Sequence, residues 1–417
     1  MFHPLDTRAP QVLLLQGPVG PFFQELHSGL VSRGFAVKRV VFNAGDKIFT
    51  RGDYTYFRGA KKEWANWLRA EMVQNRPSFI VVFGAMRPMH FTARQVASLY
   101  GVPVICLEEG YLRSGYITCE LGGNNDSSPL CRWTPDQIDP ATLPEPLDMP
   151  SPQSALRIWA AIYYLMRDLK AAPAESALFH RKREGIGRLA TSWGKHLTSR
   201  ACVKHEILTK LKKLQTRLKG KYILVTLQVP EDSQIRYSSR GWTNQKLVKQ
   251  TLLALRESTT EQTVVFKLHP LDRNAGQTRR LIAKYARALG LSRRVMTLGT
   301  GAIGEVTRHA SGMIVINSTS AFSALHHGVP ILVLGDAIYR HDALVTTGTK
   351  PSAIANFMQS RAAKPKANFD AFRRSVRARA LLPGDFYREA GRKVAVDAIA
   401  QKLEQELSQI SLPVGPN

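Results

Sequence analysis

Apolar residues gather in short runs at 12–15, 36–42, 79–83 and 102–107. Between the runs they recur at helical spacing, at 22–32, 61–74 and 91–100. Each run has the length of a buried strand and each intervening stretch that of a helix, so the pattern predicts a parallel, doubly wound sheet. The alternation resumes at 222–227 and continues through 264–268, 295–298, 313–316 and 331–334. The chain therefore reads as two α/β domains of Rossmann-like type. No internal repeat or low-complexity tract interrupts them.

Two such domains facing a cleft make a GT-B-like architecture. The last helical stretches, 368–378 and 385–408, are long enough to cross back onto the first domain. On this reading 1–150 is an N-terminal domain, 221–360 a C-terminal domain and 361–417 the returning helices. Residues 151–220 differ in character. A proline-rich, acidic loop at 140–152 leads into an amphipathic stretch, 155–169, that carries Trp159, Tyr163 and Tyr164. From 181 to 221 there are thirteen Lys and Arg against two acids, Glu184 and Glu206. Leu208, Leu211, Leu214 and Leu218 make the later part helical with one apolar face.

Charge narrows the partners. The 417 residues carry a formal charge of +26, which implies an acidic partner: nucleic acid, anionic lipid or an acidic substrate. Nucleic-acid binding asks for stacking aromatics or a known module, and the basic stretch offers only Trp193. Basic helices beside Trp159, Tyr163 and Tyr164 fit an anionic bilayer surface instead, where each Lys or Arg adds about 1 kcal/mol. The four cysteines, Cys106, Cys119, Cys131 and Cys202, show no metal-type spacing and suit a reduced cytoplasm. The N-terminus lacks the pattern of a signal peptide. No stretch reaches the roughly 18 apolar residues of a membrane span.

Candidate chemistry sits after the apolar runs, at the strand ends where open α/β sheets bind ligands. In 17–20, Gly17, Pro18 and Gly20 either let a substrate approach the backbone or form an ordinary tight turn. Asn43 and Asp46 either bind sugar hydroxyls or cap the next segment. Glu108 and Glu109 follow the fourth run. Their mutual repulsion would raise the pKa of one, suiting it to move a proton; the alternative is a surface acid neutralised by Arg113. In 228–234, Pro230 stops regular pairing and makes a loop. Asp232 is then either a nucleophile or charge stabiliser beside a donor sugar, or part of an Asx turn. Lys267 and the His269-Pro270 pair follow one strand of the second domain, and Asn317, Ser318 and Thr319 open a helix after another. A helix N-terminus with free N–H groups, flanked by Lys and His, points to a nucleotide or other phosphate ester. No acidic pair is spaced for a divalent metal, so neither metal nor cofactor is expected.

The segments 16–23, 42–46, 108–113, 228–234, 269–270 and 317–319, in this order, resemble the KpsS/LipB family of bacterial capsule proteins, over residues 11 to 340. The resemblance implies a retaining β-Kdo glycosyltransferase moving Kdo from CMP-Kdo to a phosphatidylglycerol-type lipid, thereby starting the poly-Kdo linker of a capsular polysaccharide. It implies a protein on the cytoplasmic face of the inner membrane, working beside a KpsC-type Kdo transferase and a capsule export complex. By that analogy Asp232 is the nucleophile and Glu109 or Glu108 the acid/base. Gln228, Lys267, His269, Pro270, Asn317, Ser318 and Thr319 hold the nucleotide sugar, while Gly17, Pro18, Gly20, Asn43, Asp46 and Arg113 lie on the acceptor or sugar side. A non-catalytic glycolipid-binding export adaptor is the alternative.

Overall fold

The structure is a computed structural model that describes residues 9–112, 114–135, 138–149, 153–179, 200–229, 235, 237–269, 272, 274–299, 301 and 303–411. The chain forms two compact units: Met1–Pro129 with Ile138–Leu189 and Arg374–Asn417, and Leu130–Gln137 with Ala190–Arg373. The expected boundary at 150 therefore falls inside the first unit. The C-terminal segment returns to that unit, as expected.

The first unit opens β1 (Gln11–Leu14), α1 (Phe22–Val31), β2 (Ala36–Val41), α2 (Ala44–Ile48), β3 (Tyr54–Tyr56), α3 (Trp64–Asn75), β4 (Phe79–Phe83), α4 (Pro88–Leu99), β5 (Val104–Glu109) and β6 (Tyr116–Leu121). The helix α5 (Gln153–Leu169) follows. Its sheet has seven strands in the order β3-β2-β1-β4-β5-β6, closed by a C-terminal strand described below. From β3 to β5 every pairing is parallel. Phe79–Phe83 is apolar throughout because β4 is covered on both faces, and all five residues are buried. On α1, Phe22, Phe23, Leu26 and Leu30 turn inward at helical spacing.

The sheet departs from the all-parallel expectation at one edge. After β5 the chain turns back without a helix, and β6 pairs antiparallel with β5. An antiparallel neighbour needs only a short connection, so no crossover signal marked it in the sequence.

The second unit contains α6 (Arg200–Gln215), β7 (Tyr222–Thr226), α7 (Asn244–Glu257), β8 (Thr263–Lys267), α8 (Ala275–Ala288), β9 (Val295–Leu298), α9 (Ile303–Arg308), β10 (Gly312–Val315), α10 (Ala321–His326), β11 (Ile331–Val333), β12 (Thr346–Thr347) and α11 (Ser352–Gln359). Its six strands run β9-β8-β7-β10-β11-β12, all parallel. In chain order this is 3-2-1-4-5-6, the Rossmann order, with its reversal between β7 and β10. The first unit reverses in the same way between β1 and β4.

The chain then runs through α12 (Lys366–Ala380), β13 (Leu381–Pro383) and α13 (Glu389–Ser411). β13 pairs antiparallel with β6 as the seventh strand of the first sheet. Its Pro383 is tolerable because the strand lies at the edge. Phe386, Ala395, Ile399, Ala400 and Leu403 enter the same core as Phe22, Phe79 and Ile105.

The returning helix is thus core rather than decoration. Ile399→Ala removes a fully buried side chain and is expected to cost about 2–5 kcal/mol in denaturant unfolding. Lys393→Ala, at a position whose side chain is 72% exposed, should change stability by less than about 0.5 kcal/mol.

Candidate functional site

In the second unit the loops after β7 and β10 meet at the strand-order reversal. Ser320 Oγ donates to Thr226 Oγ1 at 3.2 Å and so ties the end of β7 to the loop after β10. Asn317 Nδ2 donates to the Ser238 carbonyl at 3.2 Å, and Tyr339 OH donates to the Ser318 carbonyl at 2.6 Å. Gln228 is buried just beyond β7. Its backbone N–H donates to Asn244 Oδ1 and its carbonyl accepts from Asn244 Nδ2. Its side-chain Oε1 is buried and meets no hydrogen-bond partner among the described residues. Lys267 ends the neighbouring β8; its Nζ reaches the Leu268 carbonyl at 3.3 Å, and burial lowers its pKa. His269 follows it, half-buried. Pro270 and Asp232 lie outside the described residues, as does Arg113.

The loop after β10 differs from the expected anion-binding helix start. Ser318 precedes the N-cap, Ser320, by two residues, and α10 is only six residues long. Ser318 Oγ accepts from the Ser320 N–H. The N–H groups of Ala321, Phe322 and Ser323 bond to the carbonyls of Ser318, Thr319 and Ser320. Those N–H groups are therefore occupied within the turn. The loop offers hydroxyls instead, of which Thr319 is exposed and Ser318 half-buried.

In the first unit the reversal between β1 and β4 is bridged by Arg87, which the sequence reading passed over. Arg87 Nη1 donates to Gln16 Oε1 at 3.1 Å and to the Gly17 carbonyl at 3.0 Å. A Cβ placed on Gly84 would lie 3.3 Å from Arg87 Nε and 3.5 Å from Glu108 Oε2, so guanidinium and carboxylate flank the same backbone position. Beneath them His90 is buried, with its Nδ1–H on the Gly84 carbonyl at 3.0 Å. Burial, and then Arg87, push its pKa down to about 3, so the imidazole is neutral.

Glu108 and Glu109 are the last two residues of β5, not a loop beyond it, and they face Thr118 and Ile117 of β6. Successive strand residues point to opposite faces. The two side chains therefore leave the strand in opposite directions. Glu109 accepts from Tyr387 OH at 3.3 Å. Burial raises the Tyr387 hydroxyl well above its ordinary value, and Glu109 and Glu108 add to that. Tyr387 comes from the returning C-terminal segment, and nothing local in the sequence singled it out.

The remaining first-unit candidates are buried under α5. Asn43 is the N-cap of α2, its Oδ1 accepting from the Asp46 N–H. Asp46 also accepts from Gln16 Nε2, Asn43 Nδ2, the Phe42 N–H and, at 2.8 Å, Tyr163 OH. Asn43 is 1% and Asp46 3% exposed, so the capping alternative describes them. A Cβ at Gly17 would lie 2.5 Å from the Phe23 ring. Gly20, at φ +104°, would meet Trp159 at 2.9 Å. These glycines admit aromatic rings of their own unit where a substrate was expected. By the same contacts Trp159 and Tyr163 face inward. Trp159 Nε1 donates to the Tyr387 carbonyl, and the reading of these aromatics as bilayer-facing does not stand.

A second buried carboxylate holds the segment after β5. Glu120 on β6 accepts from Tyr111 OH at 2.7 Å and from Ser128 Oγ. The Asn125 N–H donates to Tyr111 OH at 2.6 Å. Burial raises Glu120 to about 7 against these bonds.

Comparison with known proteins decides the family. The family described as capsule polysaccharide biosynthesis proteins matches residues 78–387. The chain belongs to that family. It is 33% identical over 345 residues to the capsule polysaccharide export protein KpsS of Escherichia coli, covering 81% of this chain and 87% of that one. It is 29% identical over 395 residues to the capsule polysaccharide modification protein LipB of Neisseria meningitidis serogroup A, covering 91% and 92%. Among solved structures it is similar to KpsC of Thermosulfurimonas dismutans, a beta Kdo 2,7 transferase. That match has 14% identity, coverage of 94% and 99%, and a TM-score of 0.43. The family match takes in Arg87, Glu108, Glu109, the second-unit edge and Tyr387, and leaves out Gln16, Asn43 and Asp46.

Two outcomes follow. Because Glu120 is protonated more readily folded than unfolded, its burial costs nothing below about pH 4.5 and progressively more up to about pH 7. Stability should fall by roughly 3 kcal/mol across that window; Glu120→Gln should flatten this part of the pH–stability curve. Tyr163→Phe removes the hydroxyl that serves Asp46, Gln16 and Asn43. It should lower unfolding free energy by about 1–3 kcal/mol, measured by denaturant titration at pH 7.

Proposed function

We propose that this chain is a retaining β-Kdo glycosyltransferase moving Kdo from CMP-Kdo to a phosphatidylglycerol-type lipid, the first step of a capsule's poly-Kdo linker. Membership of the capsule biosynthesis family supports the pathway. The observation that carries the chemistry is the polar cluster at the strand-order reversal of the second unit, where Thr226 and Ser320 are tied together and where Gln228, two residues on, has a buried Oε1 that meets no partner among the described residues. Ligands of open α/β sheets bind at such a reversal. A charge of +26 suits a phosphate-bearing donor and an anionic lipid acceptor alike.

In this reading Ser318 and Thr319 hydroxyls, Asn317 and Gln228 hold the CMP moiety, with Lys267 and His269 offsetting phosphate charge and Pro270 shaping the loop. Asp232 attacks the anomeric carbon and CMP departs with the bonding pair. Glu109 or Glu108 then takes the proton of the acceptor hydroxyl, whose oxygen displaces Asp232 and restores the original configuration. Arg87 is the cation beside Glu108. The protein works at the cytoplasmic face of the inner membrane with a KpsC-type transferase and the export machinery. No described helix is long and apolar enough to cross a membrane; the proposed mode of attachment is peripheral.

Incubation with CMP-Kdo and a fluorescent phosphatidylglycerol analogue should yield a mono-Kdo lipid, and Asp232→Ala should abolish it while CMP binding persists in calorimetry. The word "export" in the name of the Escherichia coli relative favours one other reading, a glycolipid-binding adaptor. An adaptor would support capsule export unchanged with Asp232→Ala.

A further inference from the structure

The helix α5 is apolar on two faces. Its inner face sends Trp159 and Tyr163 into the first unit, as described above. Its outer face carries Ile158, Ile162, Leu165 and Leu169, which are 56%, 38%, 41% and 56% exposed. The spacing i, i+4, i+7, i+11 brings the four within about 60° of one another around the helix axis and strings them over about 16 Å. A contiguous exposed stripe of large aliphatic side chains marks a surface that meets something.

Charge decides what it meets. The only acid in α5 is Asp168, which is buried and bonded to Arg167 Nε at 2.7 Å. No carboxylate of α5 therefore stands on its outer face. Arg157 lies exposed beside Ile158, and Lys170, also exposed, follows Leu169 directly. The sequence downstream, 181–221, holds thirteen Lys and Arg against two acids. An aliphatic stripe with cations at both ends, no acid of its own helix on that face, and a strongly basic segment later in the sequence is the composition of a helix that lies in the headgroup layer of an anionic bilayer. A second copy of this chain, with the same cations, would repel such a face.

We infer that the Ile158–Ile162–Leu165–Leu169 stripe of α5 is the surface by which this protein docks on an anionic lipid bilayer. This deepens the proposed lipid acceptor and rests on that reading for its purpose. Its role is to hold the first unit at the membrane, where a lipid hydroxyl is presented in two dimensions. The aliphatic side chains, rather than Trp159, Tyr163 and Tyr164, supply the apolar contact.

The test separates docking from transfer. The full-length protein is floated with phosphatidylglycerol vesicles and with phosphatidylcholine vesicles, beside a variant carrying Ile158→Gln, Ile162→Gln, Leu165→Gln and Leu169→Gln. Glutamine keeps helix propensity at exposed positions, and circular dichroism checks the fold. The wild type should partition onto phosphatidylglycerol at least about tenfold more than the variant, and much less onto phosphatidylcholine. Transfer to a short-chain, water-soluble acceptor should be equal in both, while transfer to vesicle-borne acceptor falls only in the variant. Equal flotation of the two proteins, or no flotation of the wild type, overturns the inference whatever the transfer assay gives. So does a variant that keeps its flotation but changes sedimentation from dimer to monomer, which would mark a self-association face. Normal flotation with no transfer to either acceptor leaves docking standing and removes the transferase reading.

Discussion

A right-handed crossover returns each parallel strand to the same starting edge of its sheet. That constraint fixes where the polar strand ends of this protein gather. It puts the carboxyl ends of the parallel strands on one side, with β6 of the first unit running the other way, and it leaves a crevice wherever the strand order turns round. Both units turn round beside their first strand, and in each a polar bond closes the reversal: Ser320 to Thr226 in one, Arg87 to Gln16 and Gly17 in the other. The residues that matter chemically are scattered over the sequence, and the sheet gathers them without any local motif.

The two edges are built differently. The second-unit edge keeps the hydroxyls of Ser318, Thr319 and Ser320 near the surface and buries the amides of Gln228 and Asn317 with one lysine, whose ammonium burial disfavours. In the first unit much of the polar matter lies beneath α5. Asp46 receives four side-chain or backbone donors there, and the buried Arg39 beside it is lowered to about 10 by desolvation, with Asp46 and Tyr163 pulling the other way. Such a network is costly if any member is missing, because a buried donor or acceptor without a partner loses its hydration for nothing. What remains accessible on that edge is Arg87 with the carboxylates ending β5.

Periodicity made most of this architecture readable. The continuous apolar runs at 79–83 and 222–227 announced buried strands, and the helical stretches 368–378 and 385–408 were long enough to announce the return of the chain. The missed strands share a cause. β3, β12 and β13 are two or three residues long, too short for any period, and β6 follows a turn instead of a helix. The site was read less well where a motif has a packing reason as strong as a chemical one. Gly17 and Gly20 make room for Phe23 and Trp159, and Asn43 caps a helix; a single sequence does not distinguish an aromatic ring from a sugar as the body occupying that space. Arg87 and Tyr387 escaped because their meaning arises only when β4 and the distant chain end are brought to β5. The stretch 155–169 was visible as amphipathic, but the inward turn of Trp159 and Tyr163 had to be seen before its outer aliphatic face could be told from its inner one.

The first core takes Phe386, Ala395, Ile399 and Leu403 from the end of the chain, whereas the second unit is finished by residue 373. During synthesis on the ribosome, the later-encoded unit can therefore complete itself while the earlier one still shows an open apolar groove along Phe22 and Phe79. The N-terminal half must wait, exposed, for the final helix to emerge. A stop placed just after residue 373 would thus spoil the half of the protein that was made first.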